Sequence, residues 1–156
     1  YTIDSLKVKG DNMKIDEIFE QWEKDTQVDK TELGDASLDT PKLHHKYFQI
    51  LVKERLTLRK YEAELKQLKL DKYEFLTQGP NEETKDKGWR LPAIGMVLKG
   101  DIPMYLDADD DIITISLKVG LQQEKIELLE SIIKLIMNRN YIIRNAIDWQ
   151  KFTMGA

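Results

Sequence analysis

The sequence predicts an all-α fold built on two long, coiled-coil-like helices. Three observations predict it. Apolar residues recur at alternating steps of four and three along two extended stretches. No Pro or Gly interrupts the chain between Pro41 and Leu76. Charged residues make up 33% of the 156 residues beside 41% hydrophobic ones, a balance suited to elongated, solvent-rich helices.

The elements follow in order. The chain opens with Tyr1, and Met13 heads the first patterned segment, so residues 1–12 read as a non-native or upstream extension to a single helical domain over 13–156. Ile15, Ile18, Phe19 and Trp22 fall at i, i+3, i+4 and i+7, which predicts a short helix over 13–25. Residues 26–39, with Gly34 and Ser37 among scattered apolar positions, read as a loop with at most a turn of helix. Asp39 and Thr40 can cap, and Pro41 suits a first helical position, where its missing N–H costs nothing. A helix over 41–76 would be about 54 Å long. Its seam runs Tyr47, Leu51, Glu54, Leu58, Tyr61, Leu65, Leu68, Lys72 and Phe75, a 3.5-residue repeat with Glu54 and Lys72 as polar faults. Such faults either open the seam or set its register.

Gly79-Pro80 stops this helix. Residues 78–107 read as a long, partly unstructured connector in which Ile94–Leu98 could form a short strand. The second long helix, over 108–138, repeats the seam spacing through Ile115, Val119, Gln122, Ile126, Leu129, Ile133 and Ile136. Asn138-Arg139-Asn140 suggests a kink before a terminal helix over 141–152. Ile113, Leu117, Leu121, Leu128, Ile132 and Leu135 lie beside this seam, and two helices cannot cover them all. Self-association is expected.

Several chemistries fall away. There is no cysteine, so disulfides, thiolate metal sites and cysteine nucleophiles are excluded. His44 and His45 are adjacent, about 100° apart on a helix, and cannot chelate one metal together. Asp107, Asp109 and Asp111 match the first ligands of a calcium loop, but Ile112 stands where it needs Gly and Lys118 where it needs Glu. The acidic run reads instead as helix capping. No phosphate loop, nucleophile elbow or zinc-protease motif is present. The expectation is a protein without catalytic residues, metal or cofactor. No apolar run reaches membrane-spanning length and no signal peptide is evident, so a soluble intracellular protein without membrane contacts is expected.

Charge is segregated. Residues 41–78 hold nine basic side chains against five acidic, a net +4, while the remainder holds 15 against 23, a net −8. Lys66, Lys69 and Lys72 follow one another at steps of three near the end of the long helix, with Arg59 upstream and Tyr61, Tyr73 and Phe75 interleaved. Cations for phosphates and rings for base stacking suit single-stranded nucleic acid. The DNA-binding candidates are therefore Lys66, Lys69, Lys72, Arg59 and Tyr73. A solvated helix face with aromatics in the core is the plainer reading of the same residues, and a closed oligomer would repeat a weak patch and multiply its effect.

Three segments in order carry a family likeness: Ser37-Leu38-Asp39-Thr40-Pro41-Lys42-Leu43-His44, then Tyr105-Leu106-Asp107-Ala108-Asp109, then the tail from Asn138 through Tyr141, Arg144 and Trp149 to Phe152. From about Ile15 onward the chain resembles the UvsY family of tailed-phage recombination mediators. The resemblance implies an all-helical, homo-oligomeric ring that binds single-stranded DNA. It further implies partnership with a phage recombinase and a phage single-strand-binding protein, in the cytoplasm of an infected bacterial host. The family's Lys-x-Arg-Leu motif is matched here by Gln67-Leu68-Lys69-Leu70. Lys69 stands for the arginine, without its bidentate fork, and Gln67 replaces the lysine. The rival reading is a structural coiled-coil scaffold or adaptor that does not bind DNA.

Overall fold

The computed structural model describes residues 13–155, in which five helices form: α1 (Ile15–Asp25), α2 (Leu33–Gln78), α3 (Glu82–Asp86), α4 (Ile102–Asp107) and α5 (Asp110–Thr153). No strand occurs among the described residues. The reading of residues 1–12 as an extension lies outside them. The described residues divide into two compact units, one made of residues 13–57 and 122–155, the other of residues 58–121.

The first unit corrects two expectations together. The segment read as a loop is helical from Leu33, so Pro41 lies inside α2 rather than at its start. A proline there has no N–H for the carbonyl of Ser37, one turn back. The turn before it is held from outside. The Arg139 guanidinium donates to the Ala36 carbonyl and, at 2.8 Å, to the Thr40 hydroxyl. The Thr40 and Ser37 hydroxyls donate to Asn140 Oδ1 at 2.7 and 3.3 Å. Leu33 and Ala36 are buried with Ile143, and Val28, Ala146 and Ile147 pack around them. Tertiary packing overrides the local stop signal. The same two side chains explain why α5 does not end at 138–140: Arg139 and Asn140 are polar because they face the proline turn, and α5 runs on to Thr153.

Elsewhere in this unit Ile18 is fully buried, and Trp22 meets Tyr47 edge to face with ring centroids 5.4 Å apart. The Tyr47 hydroxyl donates to Asp25 at 2.7 Å, and Lys46 donates to the same carboxylate. Burial pushes the Asp25 carboxyl up, but the hydrogen bonds from Lys46 and Tyr47 and the charges of Lys46 and Lys24 outweigh it and hold it below its ordinary value. Tyr47 is pushed well up by burial and by Asp25. Tyr47, Leu51, Ile126, Leu129, Ile133 and Ile136 are buried at their expected seam positions. A fully buried Leu or Ile side chain contributes roughly 1.5–3 kcal/mol. The fault at Glu54 is buried too. Its carboxylate accepts from the Gln122 amide and lies 3.7 Å from the Lys125 ammonium.

The second unit shows that much of the connector is folded. Gly79, at φ +86°, ends α2 with its N–H on the Phe75 carbonyl, and Asn81 caps α3 through the Thr84 N–H at 2.8 Å. Phe75, Leu76, Val97 and Ile102 form a small core, over which Trp89, Leu91, Tyr105 and Leu106 pack. Ile94–Leu98 is a loop pinned by Val97 rather than a strand. Pro103 and the turn glycines leave no room to extend one. Asp109 caps α5 by accepting the N–H groups of Asp111 and Ile112 at 3.0 and 3.1 Å, which is the role the acidic run was expected to play.

Candidate nucleic-acid interface

Between Leu58 and Gln78, α2 is unbroken helix, so side chains advance about 100° per residue. Arg59, Lys66, Lys69 and Tyr73 therefore share an arc of roughly 80°, and all four are exposed. Among the described residues, no carboxylate lies within 4.0 Å of Arg59, Lys66 or Lys69. Glu62, half-buried, is on the same arc, so the stripe carries three cations against one carboxylate. Tyr73 is 39% exposed and Leu70 beside it 49% exposed, which places an aromatic and an apolar surface next to the cations. Free cations beside an accessible ring can meet phosphates and stack a base.

Lys72 does not belong to this stripe. It is buried, on another side of the helix, with its ammonium 2.8 Å from Asp111, 3.1 Å from Asp109 and 4.1 Å above the Trp89 ring. Its charge is already neutralised inside the second unit, so it offers nothing to a phosphate. The seam position, rather than the run of lysines, decided its fate. Gln67 points roughly 160° away from Lys69 and donates to Asp71 at 2.8 Å. Gln67 is thus off the stripe, and Lys66 lies on it beside Lys69.

Trp89 packs rather than projecting: it meets Phe75 edge to face at 5.6 Å and lies under both Lys72 and Lys87, while Arg90 next to it is exposed. The sequence reading missed this small core. Its signal was the presence of Trp89, Leu91 and Tyr105 in a segment otherwise rich in charge, Gly and Pro. His44 stacks on Phe48 at 5.7 Å, a packing role. Among the described residues, no group of three His, Asp or Glu side chains is placed to hold a metal ion, and no helix is long and apolar enough to cross a membrane.

Fold and surface together define an all-helical protein with a solvent-facing basic and aromatic stripe on a long helix. A model of the UvsY family, described as recombination, repair and ssDNA binding protein, matches residues 21–156, and the chain belongs to that family. Three crystal forms of the bacteriophage T4 recombination mediator protein UvsY share the fold. Lattice type I superposes with a TM-score of 0.75 at 16% identity, covering 87% of this chain and 98% of that one. Type IV gives 0.73 at 16%, over 90% and 99%. Type II gives 0.74 at 18%, over 91% and 98%. No curated protein matches by sequence.

Proposed function

We propose that this protein is a non-enzymatic recombination mediator. It binds single-stranded DNA and promotes loading of a phage recombinase onto strands covered by a phage single-strand-binding protein. It thereby serves recombination, repair and recombination-dependent replication in the cytoplasm of the infected host. The observation that carries this reading is the unpaired stripe of Arg59, Lys66, Lys69 and Tyr73 in a chain whose family is described as binding single-stranded DNA. Cations and one ring hold any sequence, because phosphates and base faces are common to all.

A homo-oligomeric ring completes the proposal. Ile113, Leu117 and Leu121 form an exposed apolar row on α5, with Leu117 at 69% exposure. Gly120 lies among them, and a Cβ there would meet nothing within 4 Å. A mid-helix glycine costs about 1 kcal/mol relative to alanine, and nothing among the described residues requires it. A notch between exposed leucines fits close approach by a second copy. Repetition of the stripe around a ring multiplies contacts that are weak singly. A strand bent over several stripes would be displaced from its resident binding protein, which favours recombinase nucleation.

The test is fluorescence anisotropy of a labelled oligonucleotide titrated with protein at several salt concentrations. Each phosphate contact on a single strand contributes about 0.7 to the log–log salt slope. Lys66→Ala with Lys69→Ala should therefore flatten the slope by at least about 1.4. An assembled protein that binds no single strand at low salt would be a structural coiled coil instead.

A further inference from the structure

Beside the end of α2, wholly within the second unit, lies a cavity of about 280 Å³ that the stripe does not use. Phe75 and Leu76 form its apolar floor, and Trp89 and Tyr105 contribute aromatic walls. Its size is at the low end for ligand sites, too small for an extended molecule and suited to one ring system. The charges around buried Lys72 are already satisfied: its ammonium holds Asp109 and Asp111, and Asp109 also caps α5. They call for neither a phosphate nor a metal ion. At the lining, by contrast, the Arg90 guanidinium, the Tyr105 hydroxyl and the Asp110 carboxylate have no partner among the described residues.

We propose that this cavity is a socket for one base of the bound strand, a reading that rests on the single-strand binding proposed above. A planar heterocycle satisfies both halves of the lining. Its faces and edges fill an aromatic and apolar slot, and its edge carries donors and acceptors together. That matches a rim with a guanidinium donor, a carboxylate acceptor and a hydroxyl that can be either. An anion would use Arg90 alone, and a cation Asp110 alone. Lys69 and Tyr73, at the end of the stripe, lie within about two turns of Lys72, Phe75 and Leu76, which line the cavity from α2, so a strand seated on them has a base close enough to turn in. One base drawn out of line would give each subunit a fixed grip on the strand, where phosphate contacts alone let it slide. Since a shallow rim with one donor and one acceptor meets all four bases, the grip adds affinity without demanding sequence.

Trp89 reports on the socket directly. The chain has three tryptophans, so Trp22→Phe with Trp149→Phe leaves Trp89 as the sole indole. This variant is titrated with an oligothymidylate and with an abasic strand of equal length, reading anisotropy of a strand label and Trp89 emission together. The expected result is that both strands bind but only the base-bearing one changes Trp89 emission. Tyr105→Leu should then weaken the base-bearing strand at least about five-fold and the abasic strand little, because stacking is lost only where there is a base. An unchanged Trp89 signal on a strand that anisotropy shows to be bound overturns the socket and leaves the stripe standing. So does an equal signal from both strands. If neither strand binds, the mediator reading fails and the socket with it. The emission experiment leaves the socket residues intact, so it decides the matter even if Tyr105→Leu does not fold.

Discussion

Glu54 and Lys72 interrupt the same apolar seam of α2, one in each unit, and both are buried, yet their charges are met differently. Glu54 is enclosed: Gln122 and Lys125, the groups that answer it, are themselves almost fully covered. Lys72 is buried alone. Of the two carboxylates around it, Asp109 is 24% exposed and Asp111 58% exposed at the side chain, and the Trp89 ring covers the ammonium. A buried charge whose partners reach water leaves little behind when it is removed, whereas one with buried partners leaves them stranded. The seam thus contains one closed polar node and one that opens to the surface.

The largest effect should come from breaking the closed node. Glu54→Ala leaves Lys125 buried without its carboxylate and Gln122 with only the backbone carbonyl of residue 54, and urea denaturation should show a loss of about 3–5 kcal/mol. Replacing the whole node by Glu54→Leu, Gln122→Leu and Lys125→Met should recover most of that loss, since a well-packed apolar substitute is often neutral or better. If the triple variant stays as unstable as the single one, the node contributes more than self-neutralisation.

At the open node, Lys72→Met keeps the apolar stem and strands only carboxylates that water can reach. The expected loss in the same measurement is smaller, about 1–2 kcal/mol. A loss equal to that of Glu54→Ala would erase the distinction between the two nodes. The variant also bears on the stripe, because removing a lysine that faces inward should leave the salt slope of DNA binding unchanged.

This contrast marks how far the sequence could be read. The helices and the seam were legible because a 3.5-residue repeat is written into neighbouring residues, and Tyr47, Leu51, Leu129 and Ile136 are buried where that repeat puts them. The fate of a polar fault was not, because its partner comes from elsewhere: Gln122 is 68 positions from Glu54 and Asp111 is 39 from Lys72. Lys72 falls in line with Lys66 and Lys69 because spacing along a helix cannot say which side is covered when the cover is a connector. Pro41 looks like a start for the same reason, since Arg139 and Asn140, which hold its turn, are about a hundred residues away. Arg59, Lys66, Lys69 and Tyr73 were legible as exposed candidates beside Lys72 because charge and aromatic spacing need nothing beyond one helix, but the stripe that leaves Lys72 out was not.

A third test uses pH to separate a partly exposed clamp from either buried node. Asp25 is held below its ordinary value, so its contribution is fully present above the unfolded carboxylate range near pH 4 and is lost as pH falls through the lowered value. Asp25→Asn should cost about 1 kcal/mol at pH 7, and the gap to the parent protein should close as the pH is taken toward 2. A gap that persists in acid would mean that the carboxylate charge is not what binds α1 to Tyr47 and Lys46.

The smallest effect on stability discriminates most sharply between seam and surface. Gly120 is half-buried on α5, and a Cβ there would meet nothing within 4 Å, so alanine fits without contact. As a matter of helix propensity, Gly120→Ala should stabilise the isolated chain by up to about 1 kcal/mol. If a second copy enters the notch between Leu117 and Leu121, the added methyl group keeps the two backbones apart, and sedimentation velocity should show smaller assemblies from a more stable subunit. Opposite signs for subunit stability and assembly are hard to obtain from a residue that serves only its own helix. A variant that is stabilised and assembles as before would free this row from the proposed ring interface and leave the other exposed apolar positions of α5 to carry it.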